Sequence, residues 1–588
     1  MPTTIHGVSA SPGIVVGPAH LLKWEVPEVR ARVIEPHEVE GEILRLRAKT
    51  DEAIERLRAI KVRAEENAGI AEAAIFDVQV AILQDTELRG RVESLVRQNL
   101  SAEKAFDLVM LEWREHFGRS TNPMMRERVG DLMDVHIRLL SLLLGLPDHD
   151  PVDLAPGSNA ILVTHDLTPS LTIQLDRRAI AGIATDAGTR TSHVAILARS
   201  LGLPAVVGLI DATSKVATGD RLILDGTNGT IIPRPTAAVL AQFADRARRE
   251  AVAQAELDTL ADAEAVTTDG SRVTLRANVD LPDEAAPAAA RGAEGVGLMR
   301  TEFLVVGRTT MPTEDEQEEA YARVIKAFGK HPIVIRTYDV GGDKLPIGGF
   351  PHEPNPFLGW RAIRMCLDEP ELFKVQLRAL LRAAVHGDVR IMLPLVVTVD
   401  EVRQTRFLLQ EAAAELERRG ATYRADVPLG VMIETPAAAV AADTFVKDVA
   451  FFSIGTNDLV QYTLAVDRGN ASLATRYTPL HPAVLRLIAG IAETGRKAGL
   501  EVSVCGEMAS QPLMAYALLG LGIRTLSVAG NSIPALKRIV RGVSSVAAAD
   551  AARKALAAAS AREVEVLLRH ALALELGEEL LDGLLGLT

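Results

Sequence analysis

Apolar residues follow a helical period through one long stretch of the chain. Between Glu35 and Leu144, glycines are few and Arg and Glu side chains stand four residues apart, as in EGEILRLRAKTDEAIERLR. Breaks at Gly69, at residues 99–101 and at Asn122-Pro123 divide the stretch into about four helices. The pattern predicts a helical subdomain inserted into the chain.

Short apolar runs, bounded by Gly, Pro and Asp, precede and follow this helical stretch. Near the N-terminus, GVSASPGIVVGPAHLL reads as a turn followed by a strand. After Pro147 come NAILVTHDL, AIAGIATDAG, LPAVVGL and RLILDGTNGTIIP, with helical segments between them. These runs are typical of an α/β domain that the N-terminal strand completes, and residues 236–265 form an alanine-rich pattern that predicts a connecting helix.

The second half of the chain repeats one unit, an apolar run that ends in polar residues and precedes a helical segment. The runs are VTLRANVD, GVGLMRTEF, PIVIRTYDVGGDK, VRIMLPLV, LGVMIETP, FFSIGTNDL, EVSVCGEM and TLSVAG. Eight strand-helix units over about 300 residues predict a (β/α)8 barrel. Its active site is expected at the carboxyl ends of the strands. The polar residues that close these runs are Arg300, Arg336, Glu434, Asn457, Asp458 and Cys505.

Composition narrows the classes of protein that fit this pattern. The 588 residues are 48% hydrophobic and 24% charged, with a net charge of −13 and no basic run, which disfavours nucleic acid as a partner. The longest apolar segment, near residues 139–146, is too short to span a bilayer, and the first residues do not show a charged segment leading into an apolar one. Two cysteines exclude a disulfide framework. We therefore expect a cytoplasmic globular protein without membrane insertion.

One histidine lies in an unusual setting, the segment DAGTRTSHVAILARS of residues 186–200. His193 follows a turn-forming run and two hydroxyl residues, and a helix-forming run begins directly after it. Backbone N–H groups at a helix N-terminus favour an anion such as phosphate. A helix-capping or half-buried structural histidine is the alternative, and for a lone histidine it is the better one.

The arginines at the strand ends have the chemistry of an anion site. Arg300 and Arg336 offer planar guanidinium groups that match phosphate and carboxylate, and Arg468, in AVDRGN, is a candidate third. Asn457 can donate a hydrogen bond to the same phosphate. The alternative is that arginines and carboxylates at the barrel mouth only neutralise each other.

Carboxylates and a thiol complete the candidate site. Glu434 and Asp458 follow neighbouring strands and are oxygen donors suited to Mg²⁺, which takes its remaining ligands from water and a phosphorylated substrate. Cys505 is either a buried structural thiol or a proton donor and acceptor.

The order of these motifs resembles one family throughout the chain, enzyme I of the bacterial phosphoenolpyruvate-dependent sugar phosphotransferase system, the phosphoenolpyruvate-protein phosphotransferases. The matching segments are SPGIVVGPA, RERVGDLMDV, DLTPS, TRTSHVAILARSLGLPAVVG, GLMRTEFL, RTYDVGGDK, NPFLGWRAIR, MLPLV, MIETPAA, FFSIGTNDLVQYTLAVDR and CGEMA. The histidine segment and IGTNDL are each fairly specific, and together in this order they are very specific.

The resemblance implies a role for each candidate residue. His193 would accept the phosphoryl group of phosphoenolpyruvate, and Cys505 would protonate the enolate carbon as pyruvate forms. The substrate's phosphate and carboxylate would be held by Arg300, Arg336 and Arg468, with help from Asn457. Glu434 and Asp458 would hold Mg²⁺. The helical insertion would bind the carrier protein HPr, and the barrels would form a homodimer.

The resemblance also implies a multidomain α/β architecture, for which we expect the following boundaries. Residues 1–22 and 147–232 form a phosphohistidine α/β domain, and residues 23–146 form the inserted helical bundle that binds HPr. Residues 233–265 form the linker helix, and residues 266–588 form the TIM-like (β/α)8 barrel. The histidine and the substrate site then lie in different domains, which must approach each other for the first transfer and separate for the second.

One residue departs from the family pattern, since Thr189 stands where the family usually has a second glycine before the Arg-Thr-Ser-His run. A side chain is less tolerant of positive φ, so this loop is expected to be stiffer. Two rival enzymes are pyruvate phosphate dikinase and phosphoenolpyruvate synthase, which need a nucleotide-binding domain that no segment here supplies. A nitrogen-related regulatory paralogue usually carries an N-terminal sensory domain. A non-catalytic binding protein would lack the strand-end residues.

Overall fold

The computed structural model divides the chain into two compact units, residues 1–252 and residues 253–588. The structure describes residues 4–22, 24, 26–30, 32–68, 75–118, 128–146, 154, 157–167, 171, 179–188, 194–195, 198, 202–305, 310–341, 353, 355–468, 470, 473 and 476–587. Among these residues no helix is both long and apolar enough to cross a membrane.

The first unit combines a β-sheet with a helical bundle. Its strands are β1 Ile5–His6, β2 Val8–Ser11, β3 Ile14–Leu22, β4 Ala160–Thr164, β5 Ile180–Thr185, β6 Ala205–Val207, β7 Arg221–Asp225 and β8 Thr230–Pro233. Its helices are α1 Val39–Ala68, α2 Ile75–Gln84, α3 Thr86–Val96, α4 Ala102–Gly118, α5 Val129–Leu143 and α6 Ala212–Lys215. A further helix, α7 Ala237–Asp258, begins in this unit and matches the predicted connecting helix.

The N-terminal strand completes the sheet, as the sequence predicts. The strand order is β1-β8-β7-β3-β4-β5-β6-β2, with β3, β4, β5 and β6 parallel and with β3 antiparallel to β7. Every residue of β4 is buried, as expected for a parallel strand covered on both faces. Apolar cores lie on both sides of the sheet, one around Leu162 and Ile183 and the other around Ile161 and Leu224.

The helical bundle has its own apolar core, which includes Leu57, Phe76, Phe106 and Leu140. The described residues contain five helices where the sequence pattern predicts about four. The additional break lies at Asp85, whose side chain accepts the backbone N–H of Leu88 and caps helix α3. The apolar period alone does not reveal this N-cap. The predicted breaks at Gly69 and Asn122-Pro123 lie outside the described residues.

The second unit is a closed barrel of eight parallel strands, in the predicted order. Its strands are β9 Thr274–Val279, β10 Val296–Met299, β11 Ile333–Arg336, β12 Val389–Leu393, β13 Leu429–Ile433, β14 Phe451–Ile454, β15 Glu501–Val504 and β16 Thr525–Ala529. Its helices are α8 Ala285–Ala290, α9 Glu314–Phe328, α10 Ile363–Asp368, α11 Pro370–Ala383, α12 Val399–Arg418, α13 Pro436–Val440, α14 Thr456–Leu464, α15 Pro482–Ala498, α16 Pro512–Gly520, α17 Ile533–Gly542, α18 Ser545–Ala557, α19 Ala561–Leu576 and α20 Glu578–Leu587.

Successive side chains along each barrel strand face the lumen and the surrounding helices in turn. In β13, Val431 and Ile433 join the large core formed with the helices. Met432 instead joins a small apolar cluster with residues of other strands, which fills the middle of the lumen. The members of this cluster are Leu298, Val334, Met392, Met432, Phe451 and Cys505. A period of two therefore also directs Glu434, two residues beyond Met432, toward the mouth of the lumen.

Candidate active site

Seven of the eight predicted site residues lie on the carboxyl side of the barrel strands. Arg300 directly follows β10, Arg336 ends β11, Glu434 follows β13 and Cys505 follows β15. Each of these four continues the lumen-facing alternation of its strand. Their charges are close enough to one another to affect the pKa of Cys505.

The remaining barrel residues come from the segments that follow β14. Asn457 and Asp458 are not at the end of this strand, as the sequence suggested, but in the first turn of helix α14. Arg468 lies beyond the C-terminal end of that helix. Its guanidinium Nη1 is 3.0 Å from Oδ1 of Asp458. Because the helix begins directly after Gly455, Asn457 and Asp458 lie at a helix N-terminus, where a bound anion is favourable.

Acidic side chains surround the two strand-end arginines. Arg300 donates to Oδ1 of Asp280 at 2.7 Å. Arg336 donates to Oε1 of Glu302 at 2.5 Å, and its Nη1 lies 3.0 Å from Oδ2 of Asp339. Charge-assisted bonds of this length hold a guanidinium group in a fixed orientation.

A further arginine, Arg361, connects these pairs to helix α14. It donates from Nε and from Nη2 to Oδ1 of Asp339, at 3.1 and 2.6 Å. Its Nη2 is also 3.6 Å from Oδ2 of Asp458. Acidic and basic groups therefore alternate across the barrel mouth, in the order Glu302, Arg336, Asp339, Arg361, Asp458 and Arg468.

Burial opposes the charged state of these arginines, yet they stay charged. For Arg336, the neighbouring Glu302, Asp339 and Glu434 outweigh burial and raise the pKa of the guanidinium group. For Arg361, Asp339 and Asp458 have the same effect on the pKa. The arginines are therefore permanent positive charges that can bind the anionic parts of a substrate.

Glu434, unlike these arginines, is buried in a setting that favours its uncharged form. It is almost fully buried, and its Oε1 accepts the backbone N–H of Leu395 at 2.6 Å. Burial, together with the charges of Asp458 and Asp339, raises its pKa from 4.5 to about 8, although Arg336 acts in the other direction. Glu434 therefore holds its proton at neutral pH when no cation is bound, mainly because it is buried.

The carboxylates of Glu434 and Asp458 fit a divalent cation. Within the described ranges, no group of three or more His, Cys, Asp and Glu side chains is arranged to hold a metal ion by itself. Two carboxylates, Glu434 and Asp458, lie close enough for the charge of one to shift the pKa of the other. Mg²⁺ commonly takes only one or two protein carboxylates and fills its shell with water and substrate oxygens, so this donor set fits it.

Two glycines leave space for Glu434 and for the first residue of helix α14. A Cβ atom on Gly455 would lie 2.5 Å from Oε2 of Glu434, and a Cβ atom on Gly506 would lie 1.7 Å from Oγ1 of Thr456. Both glycines belong to turns that directly follow barrel strands. Any side chain at either position would displace groups of the site or of the helix turn that carries Asp458.

Cys505 is buried in the lumen beneath the charged residues. Its Sγ is 3.6 Å from the carbonyl oxygen of Ile454, to which it donates. Burial raises the pKa of the thiol to about 11, although Ser453 lowers it. Cys505 is therefore a protonated thiol at neutral pH, as a proton donor must be.

Sequence reasoning missed four charged members of this site, Asp280, Glu302, Asp339 and Arg361. Asp280 and Glu302 each lie one to three residues beyond a strand, in runs where only the arginines stand out. Asp339 and Arg361 stand in RTYDV and GWRAIR. The carboxylates could have been found by asking which groups pair with each buried arginine. Arg361 follows a long connection after β11, so its position could not be read from the strand pattern.

His193 and Thr189 lie outside the described residues, but both ends of their loop are described. Before the loop, the buried carboxylate of Asp186 accepts the backbone N–H of Ala212 at 2.6 Å. After the loop, Val194 and Ala195 are buried in the apolar core of the sheet. The described residues on either side of the histidine are thus held by a hydrogen bond and by apolar packing.

Three family models match successive parts of the chain. The N-terminal model of the phosphoenolpyruvate-utilising enzymes matches residues 6–128, their mobile-domain model matches residues 156–229, and their phosphoenolpyruvate-binding-domain model matches residues 254–545. The last match contains every barrel residue described above as part of the site.

Curated relatives match nearly the whole chain, and each is named phosphoenolpyruvate-protein phosphotransferase. The protein from Geobacillus stearothermophilus is 43% identical over 563 residues, 95% of this chain and 97% of the relative. The proteins from Staphylococcus aureus and Listeria monocytogenes are 40% and 41% identical over 569 and 566 residues, covering 96% of this chain and 98% of each relative. This chain belongs to the phosphoenolpyruvate-protein phosphotransferase family.

Proposed function

We propose that the protein transfers the phosphoryl group of phosphoenolpyruvate to its own His193, releases pyruvate, and passes the phosphoryl group on to a histidine of HPr. This is the first step of the sugar phosphotransferase system. The observation that carries the proposal is the alternating array of arginines and carboxylates at the barrel mouth, in a chain whose relatives are phosphoenolpyruvate-protein phosphotransferases.

Arginines bind the substrate in this proposal. Arg300, Arg336 and Arg468 hold its phosphate and carboxylate, and Asn457 donates a hydrogen bond to the phosphate. The neighbouring carboxylates hold Arg300 and Arg336 in place before substrate arrives, so little reorganisation is needed during transfer. Such preorganisation is the main source of catalysis in phosphoryl transfer.

Glu434 and Asp458 would hold Mg²⁺, which neutralises charge on the phosphoryl oxygens when bound. The proximity of the two carboxylates supports this assignment, because the charge of Asp458 contributes to the raised pKa of the buried Glu434 and a cation between them would offset that repulsion. Glu434 must lose its proton to act as a ligand, and Asp458 must share its oxygens with Arg361 and Arg468.

The first transfer breaks the bond between phosphorus and the enol oxygen, and forms a bond between phosphorus and a ring nitrogen of neutral His193. The electron pair of the broken bond remains on the enolate of pyruvate. Cys505 donates its thiol proton to the enolate carbon, which gives pyruvate and a thiolate. Because the pKa of Cys505 is raised to about 11, the thiolate recovers a proton from water.

Several parts of the proposal concern partners. HPr would dock on the helical bundle, for which Glu65, Glu66, Glu72 and Asp77 are candidate contacts. Of these side chains only that of Asp77 is described, and it is bonded to Lys61 at 2.8 Å. A homodimer through the barrels, a cytoplasmic location and the domain boundaries given above remain predictions. Relatives over 95% or more of the chain favour this activity over a dikinase or a regulatory paralogue.

The proposal is tested by incubating the full chain with phosphoenolpyruvate labelled on phosphorus, in the presence of Mg²⁺, with and without HPr. The protein should acquire label, and HPr should remove it. The His193→Ala variant should acquire none, whereas His570→Ala should be labelled like the unmodified protein. His570 is an exposed histidine of helix α19 and serves as the matched control. Label retained by His193→Ala would refute the assignment.

A further inference from the structure

An aromatic ring lies beside two of the site arginines. Phe357 belongs to the connection between β11 and α10, and its side chain is half-buried. The guanidinium carbon of Arg361 lies over this ring at 5.6 Å from the ring centroid, and that of Arg468 lies over it at the same distance. Both distances are within the range in which the negative face of an aromatic ring attracts a cation.

The same two arginines also share a carboxylate. Nη1 of Arg468 lies 3.0 Å from Oδ1 of Asp458, and Nη2 of Arg361 lies 3.6 Å from Oδ2 of the same carboxylate. Arg361 has a second carboxylate partner in Asp339, but Asp458 is the sole carboxylate within ion-pair distance of Arg468 among the described residues. The side chain of Arg468 also contacts the hydroxyl of Tyr477. If a cation or a substrate engages Asp458, Arg468 therefore loses its one described ion pair, whereas Arg361 keeps Asp339.

The segment around Phe357 is fixed independently of these arginines. The hydroxyl of Tyr462 donates to the carbonyl oxygen of Phe357 at 2.5 Å, and Tyr462 lies on helix α14, which also carries Asp458. On the other side, Arg364 donates to the carbonyl oxygens of Leu358 and Gly359 at 2.8 and 2.9 Å. The ring thus stands on an anchored turn and does not depend on Arg468 for its own position.

We infer that Phe357 is a positioning residue that holds Arg468, and to a lesser degree Arg361, in the orientation that binds the substrate anion. This inference rests on the proposed function. The ring is uncharged and is not a metal ligand. It therefore keeps its contact with the guanidinium group of Arg468 when Asp458 binds a cation. Because Arg361 keeps Asp339 as a partner, the effect of losing the ring should fall mainly on Arg468.

The test compares Phe357→Leu, which keeps an apolar side chain but removes the ring, with Phe357→Tyr, which keeps the ring. In the leucine variant, the KM for phosphoenolpyruvate should rise by about three- to tenfold, with kcat within about twofold. Calorimetry in a His193→Ala background, which cannot turn over, should give the same loss of affinity for phosphoenolpyruvate. The tyrosine variant should restore both quantities. Leu358→Ala, at the next and well-exposed position, is the matched control and should change neither.

A merely structural role for Phe357 would give a different result. It would lower the melting temperature or the active fraction and leave KM unchanged, and this result would overturn the inference. So would a rise in KM that Phe357→Tyr fails to restore. If the leucine variant does not fold, Phe357→Met gives the same comparison. Failure of the unmodified protein to take label from phosphoenolpyruvate would instead refute the proposed function.

Discussion

Both ends of the barrel contain arginines and carboxylates, but in different proportions. At the amino ends of the strands, Glu501 accepts Arg276 at 2.6 Å and Arg390 at 3.0 Å, and Arg390 also reaches Asp388 at 3.1 Å. These two arginines and two carboxylates neutralise one another. At the carboxyl ends, the described arginines Arg300, Arg336, Arg361 and Arg468 face the carboxylates Asp280, Glu302, Asp339, Glu434 and Asp458.

The difference shows what distinguishes a structural ion pair from a functional one. Charged residues at a strand end do not by themselves indicate a site, since the amino end of the barrel has them too. The carboxyl end differs because it holds a carboxylate, Glu434, whose pKa is raised by burial and by the charges of Asp458 and Asp339, although Arg336 acts in the other direction. A buried group with a shifted pKa beside other charged groups is a candidate for function, whereas the paired groups at the amino end need no ligand.

The largest expected effect follows from removing one guanidinium at the carboxyl end. In Arg336→Lys a positive charge remains, but the planar group that contacts Glu302 and Asp339 is lost. We expect kcat/KM for phosphoenolpyruvate to fall about 100- to 1,000-fold, as for the loss of a preorganised donor. Steady-state kinetics measures this fall, and circular dichroism should show an unchanged fold. Activity within tenfold of the unmodified protein would contradict the role of Arg336.

A smaller loss of turnover is expected when the space beside Glu434 is filled. In Gly455→Ala the new Cβ atom would lie 2.5 Å from Oε2 of Glu434, so the carboxylate must move. We expect kcat/KM to fall about 10- to 100-fold, because small displacements in a preorganised site have effects of this size. The fall should be partly reversed at high Mg²⁺ concentration.

The control for this prediction is Gly490→Ala, in the middle of helix α15, where a Cβ atom would meet nothing within 4 Å. Alanine favours a helix over glycine, so this variant should be as active as the unmodified protein and slightly more stable. Equal activity of the two alanine variants would show that the position of Glu434 does not matter for turnover.

The carboxyl end of the barrel could be predicted from the sequence only in part. Residues such as Arg336 and Glu434 can be predicted because polar residues close the apolar runs and the parallel strands of a barrel all end on one face. Asn457 and Asp458 are predicted at a strand end but lie on a helix, because the pattern of apolar residues does not show a turn of a few residues between strand and helix. Arg361 was missed, because a long connection brings it to the mouth by tertiary packing alone.

At the amino end of the barrel, we expect an effect on stability and none on turnover. Glu501→Gln removes the charge that Arg276 and Arg390 share, and the side chain of Arg276 is only 7% exposed. The free energy of unfolding should fall by about 1–3 kcal/mol, because a buried arginine is left without its partner. Denaturant titration measures this change. Turnover should stay within about twofold of the unmodified protein.

The matched control is Glu493→Gln on the surface of helix α15, where Glu493 pairs with Arg496 and Lys497 in solvent. An exposed pair contributes little, so this variant should unfold at the same denaturant concentration as the unmodified protein. If Glu501→Gln lowers turnover by clearly more than twofold, the assignment of stability to the amino end and of turnover to the carboxyl end of the barrel is wrong.

The smallest expected effect is the release of a proton from Glu434 when Mg²⁺ binds. Because the pKa of Glu434 is raised from 4.5 to about 8, the folded barrel holds a proton that the unfolded chain has lost between these values. Without metal, the contribution of Glu434 to stability is complete below pH 4.5 and is lost as the pH rises through this window. Binding of Mg²⁺ requires the carboxylate, so it should release up to about one proton per site at pH 7.

This release can be measured by titrating the protein with Mg²⁺ alone in two buffers of different ionisation enthalpy. It should decline toward zero above about pH 9, where Glu434 has already lost its proton. Glu434→Gln should release none at any pH. A release that does not depend on pH would mean that the proton does not come from Glu434, and the buried carboxylate would then no longer distinguish the carboxyl end of the barrel from the amino end.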